Sequence, residues 1–121
     1  MAQTRRVRPV RRSVRWPCSV VRERDFRLVA RRLVDLSEEG LFALSDVPVL
    51  TGEPVIVSFR APLGRDWIDA EASVTRVVHA RREGDRGRGL GIVFDRLDAA
   101  ARAALAAQLG WFREARPTLT R

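Results

Sequence analysis

The sequence predicts a small, mainly β protein: a six-stranded antiparallel β-barrel followed by one C-terminal α-helix, with a flexible basic arm at the N-terminus. Three observations predict this architecture. Between Cys18 and Phe94 the apolar residues recur mostly at every second position, with turn-forming residues between short runs. After Asp95 the apolar period changes to that of a helix. The first fifteen residues have no apolar periodicity.

Each of the six predicted strands is followed by a turn or a break in the pattern, such as the one at Pro48 or Gly52. The predicted strands are residues 18–26, 27–36, 41–44, 55–59, 67–78 and 89–94. In the second strand, Leu28, Ala30 and Val34 are expected to supply core side chains. Short antiparallel strands at this spacing favour a closed barrel, because closure removes most exposed strand edges.

A helix is expected after the last strand. Its apolar residues recur every fourth position: Leu97, Ala101, Leu105, Leu109 and Phe112. Asp95 or Asp98 is expected to cap its start. The apolar stripe either closes one end of the barrel, which we favour, or docks a partner protein. The expected organisation is therefore an arm over residues 1–15, a barrel with its helix over 16–116, and a tail over 117–121.

Length and composition are those of a single globular domain. The chain has 121 residues, of which 45% are hydrophobic and 31% are charged, which is enough for one core. No apolar run approaches the ~20 residues that a membrane helix needs. The N-terminus also lacks the apolar stretch of a secretory signal. We therefore expect a cytoplasmic protein that does not insert into a membrane.

The net charge of +8 is concentrated in the arm. The arginines that precede Trp16, with no acidic residue among them, are Arg5, Arg6, Arg8, Arg11, Arg12 and Arg15. All 23 cationic residues are arginine, whose planar guanidinium suits phosphate groups and guanine edges. A GC-rich genome explains the overall preference for arginine more simply, so the position of the charge is the informative feature.

Residues that would support catalysis or metal binding are scarce. Cys18 and His79 are each the only residue of their type, so neither a Cys/His metal site nor a nucleophilic pair is supported. We expect Cys18 to be a small buried hydrophobic residue and His79 to lie at a strand end. The sequence therefore predicts no enzyme, no metal site and no permanently bound cofactor.

Two short motifs flank the first predicted hairpin. Arg11 and Arg15 are four residues apart in the basic arm, and Asp35-Leu36-Ser37-Glu38-Glu39-Gly40 ends the second strand. Each motif alone is weak, because paired arginines are common in an Arg-rich chain and Asp-x-Ser-x-x-Gly is also an ordinary strand-to-turn pattern. Their order around one hairpin makes the combination more specific.

Together the motifs carry the chemistry that a guanine nucleotide requires. Guanidinium groups bind phosphate, and one arginine can bridge O6 and N7 of guanine with two hydrogen bonds. The carboxylate of Asp35 can accept hydrogen bonds from the N1–H and N2–H donors of the base. Ser37 points the same way if the strand is extended. Gly40 would permit the turn and a close approach of ligand to backbone.

On these residues the chain resembles a PilZ domain, the bacterial receptor module for cyclic di-GMP. The family pattern is Arg-x-x-x-Arg in an N-terminal loop and Asp/Asn-x-Ser-x-x-Gly on the barrel. The residues that match it are Arg11, Arg15, Asp35, Ser37 and Gly40. The segment Gly89-Leu90-Gly91-Ile92-Val93-Phe94 is also similar to the family's closing strand. The resemblance spans roughly residues 8–109 and implies a six-stranded barrel with a C-terminal helix.

The resemblance also implies roles for individual residues. Arg11 and Arg15 would bind phosphate and guanine, and Asp35 and Ser37 would bind a guanine edge. The implied function is a receptor that orders its arm on cyclic di-GMP and signals through an unidentified effector protein. The family is associated with motility, biofilm or polysaccharide control. The sequence does not choose between a monomer and a ligand-dependent dimer.

Other residues near the motifs have a less certain role in binding. Arg8 and Arg12 lie outside the motif positions and are expected to be helpers. Val10, directly before the arginine motif, occupies a position thought in this family to influence how many ligand molecules bind. Glu38 and Glu39 would oppose the phosphates if they faced the ligand, and would have little effect if they faced water.

Two other functions remain open. A degenerate domain of this family would act by protein–protein contact without a ligand. A nucleic-acid-binding barrel would use the arm as its electrostatic contact. We disfavour nucleic acid because the barrel body is nearly neutral and only Trp67 is a good candidate for stacking bases.

Overall fold

The structure, a computed structural model, describes residues 12–61, 66–79 and 87–110. It contains six strands and one helix: β1 (Arg12–Arg22), β2 (Arg27–Leu36), β3 (Gly40–Leu44), β4 (Pro54–Arg60), β5 (Trp67–Val78), β6 (Gly89–Arg96) and α1 (Ala99–Leu109). The strands form a closed antiparallel barrel in the order β1-β2-β3-β6-β5-β4. The predicted fold class is therefore confirmed. Within the described residues, no helix is long and apolar enough to cross a membrane.

The core lies inside the barrel and is built from alternate residues of the strands. In β4, Val55, Val57 and Phe59 are fully buried while the residues between them are partly exposed. Their β-branched and aromatic side chains suit a pleated surface that is half buried. Leu105 and Leu109 of α1 join the same core cluster. The predicted packing of the helix against the barrel is thus confirmed for these residues, whereas Phe112 lies outside the described part.

Different elements close the two ends of the barrel. At one end, α1 approaches the turn between β2 and β3, where Nη1 of Arg102 donates a hydrogen bond to the carbonyl of Glu38 at 2.8 Å. Asp98 caps this helix, accepting a hydrogen bond from the backbone N–H of Ala100 at 3.1 Å. At the other end, the loop between β3 and β4 covers the barrel and places Val49 in the core.

A buried arginine stabilises the end of the barrel that lies away from α1. The Arg22 side chain donates hydrogen bonds to both carboxylate oxygens of Asp25, at 3.1 and 2.8 Å, and to the carbonyl of Pro48 at 3.1 Å. Arg24 pairs with Glu53 at 2.8 Å. The hydrogen bond from Arg22 lowers the pKa of Asp25 to about 2. These contacts join the β1–β2 turn to the β3–β4 loop.

Strand β1 begins earlier than the sequence predicted. The predicted strand started at residue 18 and the predicted arm extended to residue 15, but β1 begins at Arg12, so residues 12–15 belong to the barrel. Pro17 does not end the strand, because this part of β1 pairs only with β2 and register shifts lie on either side. Residues 1–11 and 117–121 of the predicted arm and tail lie outside the described part.

Two side chains at the β1–β2 turn also differ from expectation. Phe26 was predicted to end the first strand, but it closes the turn with a φ of 54° and is 75% exposed. Leu28 was predicted in the core and is 37% exposed, whereas Val29 is buried. Register shifts along β1 interrupt the alternation between inward and outward residues. Counting every second residue therefore gives the wrong face near this turn.

Candidate functional site

The second motif forms the turn between β2 and β3. Leu36 and Leu41 are the last cross-strand partners before the turn, and the backbone N–H of Ser37 donates to the carbonyl of Gly40 at 2.8 Å. Glu38 and Glu39 form the tip of the turn and are half-buried. The structure therefore brings Ser37 and Gly40 together directly after the strand that carries Asp35.

The hydroxyl group of Ser37 organises this turn. Its Oγ accepts hydrogen bonds from the backbone N–H groups of Glu39 and Gly40, at 3.1 and 3.3 Å, and donates to the carbonyl of Gly40 at 3.4 Å. The residue is 4% exposed. A serine side chain commonly satisfies backbone groups in a turn in this way. The hydroxyl thus has a structural role here, and its contact with a guanine edge stays a prediction.

Gly40 is required by the packing of backbone against backbone. A Cβ atom added at this position would lie 2.0 Å from the carbonyl oxygen of Ile92 in β6. Gly40 does not adopt a left-handed φ, in contrast to Gly52 at 93°. From the sequence, this glycine was expected to permit a turn and the close approach of a ligand to the backbone. The structure supplies a different reason, which is the close contact between β3 and β6.

Two hydrogen bonds from distant residues hold the tip of the turn. The backbone N–H of Phe94 in β6 donates to the carbonyl of Glu39 at 2.8 Å. The guanidinium of Arg102 in α1 donates to the carbonyl of Glu38 at the same distance. The main chain of the turn is therefore positioned by the last strand and by the helix.

Asp35 lies on the outer wall of the barrel. Its cross-strand partners are Ser13 on β1 and Phe42 on β3. The next residue, Leu36, belongs to the interior core cluster, and successive strand residues point to opposite faces of the sheet. Asp35 is nevertheless only 5% exposed and is engaged in an interaction within the protein. A carboxylate held in this way is pre-positioned, since its side chain has little freedom to move.

The first motif is described only in part. Arg15 is exposed on β1 and follows the core residue Val14, so it faces the outer side, as Ser13 does. Because Ser13 pairs with Asp35, the β1 segment that carries Arg15 adjoins the strand that carries Asp35. Arg12, a predicted helper, is half-buried at the start of β1. The other residues predicted on the arm lie outside the described part: Arg8, Val10 and Arg11.

Sequence reasoning missed an aromatic residue and a cation on the same wall. Phe42, the partner of Asp35, is 4% exposed but does not belong to the interior core cluster. The guanidinium carbon of Arg76 lies 5.9 Å from the centroid of its ring. Phe42 lies between Leu41 and Ala43, which both face the core. Because successive strand residues point to opposite faces, this position could have indicated that Phe42 lies on the outer wall.

Outside the two motifs, the described residues include a buried cysteine, an exposed histidine and a polar cleft. Among the described residues, no group of three or more His, Cys, Asp or Glu side chains could hold a metal ion. Cys18 is buried, as predicted, and burial raises the pKa of its thiol to about 12. His79 follows the end of β5 and is exposed. A cleft of about 740 Å³ lies at the opposite end of the barrel from the second motif, lined in part by Arg24 and Glu53.

Comparison with known proteins identifies the family. The family model of the PilZ domain matches residues 4–111. The chain belongs to the PilZ domain family. PilZ domains are ligand-binding and adaptor modules rather than enzymes, and the family binds cyclic di-GMP.

Two solved structures share the fold of this PilZ domain. The PilZ domain of YcgR from Escherichia coli, solved with cyclic di-GMP, has a TM-score of 0.66 and 19% identity, with 89% of this chain and 92% of that chain covered. The inhibitor of motility MotI/DgrA from Bacillus subtilis has a TM-score of 0.70 and 18% identity, with 88% of this chain covered. The PilZ chain spans 50% of that inhibitor. No curated protein matches the chain.

Proposed function

We propose that this PilZ domain is a cyclic di-GMP receptor that acts as an adaptor through a partner protein. The observation that supports this most is the pairing of Ser13 with Asp35. It makes the strand that carries the exposed Arg15 a neighbour of the strand that carries the carboxylate. Arg15 and Asp35 thus lie on adjoining strands of one wall.

In this proposal different charged residues contact different groups of the ligand. Arg11 and Arg15 supply guanidinium groups for phosphate and guanine, and Asp35 accepts hydrogen bonds from the N1–H and N2–H edge of guanine. Each such charge-assisted hydrogen bond contributes about 1.5–3 kcal/mol. Ser37 contacts the same guanine edge, and Ser37 and Gly40 also shape the turn beside Asp35.

Signalling would follow from ordering of the segment that precedes Arg12. Ordering a segment costs conformational entropy, so the phosphate and guanine contacts must exceed that cost. The ordered segment and the ligand would create a new surface for an effector protein. Control of motility is a reasonable output, since one protein of similar fold is an inhibitor of motility. We place this activity in the cytoplasm.

Calorimetric titration with cyclic di-GMP tests the proposal. Wild-type protein should give saturable heat, and Arg15→Ala should weaken the affinity by at least about tenfold through the loss of one charge-assisted contact. Arg31→Ala is the matched control, because Arg31 is also an exposed strand arginine and its loss changes the net charge equally. Arg31→Ala should retain the wild-type affinity. Folded wild-type protein that gives no saturable heat would overturn the proposal in favour of a degenerate domain.

A nucleic-acid-binding barrel is the second candidate, and one observation favours it. Trp67 is 59% exposed, with the guanidinium carbon of Arg60 at 5.9 Å from its ring, which is an arrangement able to stack a base. Nucleic acid would bind with a steep dependence on salt concentration. Asp35→Ala would leave that binding intact while damaging the recognition of cyclic di-GMP.

A further inference from the structure

Five residues form one row across the outside of the barrel. Cross-strand pairing runs from Ser13 to Asp35, from Asp35 to Phe42, from Phe42 to Gly91 and from Gly91 to Arg76. We call this set the outer row. Partners in a pleated sheet point to the same face. The outer row therefore connects the carboxylate of Asp35 on β2, through β3 and β6, to the cation of Arg76 on β5.

The outer row exists because two strands carry an irregularity. The pairing of β2 with β3 skips Val34, between Leu33 and Asp35. The pairing of β5 with β6 skips Thr75, between Val74 and Arg76. Such a bulge adds one unpaired residue and changes which side chain faces outward beyond it. Both charged members of the outer row, Asp35 and Arg76, directly follow a bulge.

Two glycines of β6 make room for large side chains on this wall. A Cβ atom added at Gly89 would lie 2.6 Å from Cζ of Phe42, and one added at Gly91 would lie 3.3 Å from Nε of Arg76. The ring of Phe42 therefore occupies the space over Gly89. Arg76 extends across Gly91 towards Phe42, and thus towards the strand that carries Asp35.

The separation along the outer row suits the two halves of a dinucleotide. Neighbouring strands are about 4.8 Å apart, so three steps place the backbones of Asp35 and Arg76 about 14 Å apart along the barrel surface. The Arg76 side chain shortens this gap by reaching back over β6. Asp35 and Arg76 are thus too far apart to bind the same base edge. They are close enough for both to contact one extended ligand.

Cation–π packing alone does not indicate a ligand. Arg60 lies over Trp67 at the same 5.9 Å that separates Arg76 from Phe42, and an arginine can simply cover an aromatic ring. What distinguishes Arg76 is that its outer row contains Asp35. Arg60 is the last residue of β4 and instead pairs with Trp67, the first residue of β5. The two arginines form a matched pair for an experiment.

We propose that Arg76 is a further ligand-binding residue, whose guanidinium donates hydrogen bonds to acceptors on the second nucleotide of cyclic di-GMP, while Asp35 binds the first. Guanine O6 and N7 and the phosphate oxygens are such acceptors. The inference rests on the proposed function. It adds a cation from β5 to a site that the sequence motifs confine to β1, β2 and the turn after β2.

The test compares cyclic di-GMP affinity in wild type, Arg76→Met and Arg60→Met. Methionine keeps an apolar cover over the aromatic ring and removes the guanidinium. Arg76→Met should weaken binding by at least about tenfold, as expected for one lost charge-assisted hydrogen bond, while Arg60→Met should match wild type. Thermal unfolding of both variants should stay close to that of wild type. If Arg76→Met is unstable, Arg76→Gln is measured in its place.

The outcomes separate the inference from the function on which it rests. Wild-type affinity in a folded Arg76→Met or Arg76→Gln protein would overturn the role of Arg76 and leave the receptor proposal standing. Equal losses in Arg76→Met and Arg60→Met would also overturn it, because they would show a general effect of surface charge. Absence of binding by folded wild-type protein would overturn the receptor proposal itself.

Discussion

At the scale of single residues, Gly40 and Ser37 shape the candidate site through the main chain. The α-carbon of Gly40 lies against the carbonyl of Ile92, which leaves no space for a side chain. The Ser37 hydroxyl satisfies two backbone N–H groups of the same turn. Both residue types are thus explained by the architecture of the turn. Their presence in the second motif follows from where the turn holds Asp35.

Gly40→Ala should therefore destabilise the fold before it affects a ligand. The added methyl group would collide with the β6 backbone, and overpacking typically costs about 1–3 kcal/mol and occasionally more. Urea denaturation should show this loss in the free energy of unfolding. Gly110→Ala is the control, since a Cβ there meets its nearest neighbour at an ordinary 3.6 Å. A Gly40→Ala protein of wild-type stability that no longer binds cyclic di-GMP would instead support a direct ligand role.

At the scale of secondary-structure elements, the helix and the last strand position the turn. Phe94 of β6 and Arg102 of α1 each donate a hydrogen bond to a carbonyl at its tip. Two glycines of β6 also accommodate Phe42 and Arg76 on the outer wall. Elements that are distant in sequence from both motifs thus determine the geometry of the candidate site.

Arg102→Ala should loosen the turn. Loss of a charged donor from the carbonyl of Glu38 should lower the free energy of unfolding by about 1.5 kcal/mol and weaken cyclic di-GMP binding measurably. Chemical denaturation and calorimetry check the two effects. Arg96→Ala is the control, because Arg96 makes only an exposed ion pair with Glu71 at 3.7 Å, which contributes little. Equal stability of the two variants would show that the contact with the turn is dispensable.

At the scale of the whole molecule, the two ends of the barrel differ in how they are held. The end that carries the second motif is closed by α1, with Leu105 and Leu109 in the core. The opposite end is joined by Arg22, Asp25 and the β3–β4 loop. The pKa of Asp25 falls from 3.8 to about 2 because Arg22 stabilises its ionised form. The contribution of this end to the stability of the fold should therefore decrease in acid.

Asp25→Asn should remove that response to pH. A carboxylate whose pKa is depressed by folding stabilises the native state above its unfolded pKa, and this contribution is lost as the pH falls through the folded value. The stability difference between wild type and Asp25→Asn should be largest at neutral pH and should shrink between pH 3.8 and about 2. Denaturation at several pH values measures it. Asp46→Asn is the control for the loss of one exposed carboxylate, because the Asp46 side chain is 89% exposed and lies 4.0 Å from Arg88.

Local patterns predicted much of the fold. The bounds of β2 and β5 coincide with the predicted strands at residues 27–36 and 67–78, because turn-forming residues bracket a clear apolar run in each case. The Asp98 cap and the packing of α1 were predicted for the same reason. The prediction was wrong at the start of β1 and at Leu28, where register shifts interrupt the alternation of inward and outward residues.

The sequence by itself determined the mainly β barrel, the family resemblance and the position of the Asp35 motif at the end of β2, since period, turn chemistry and motif spacing are local properties of the chain. Only the tertiary structure decided that Asp35 pairs with Ser13 and Phe42, that Gly40 packs against β6, and that Arg76 joins the same row. These features depend on cross-strand register and on bulges. Register is set by hydrogen bonds between strands far apart in sequence, so no single segment encodes it.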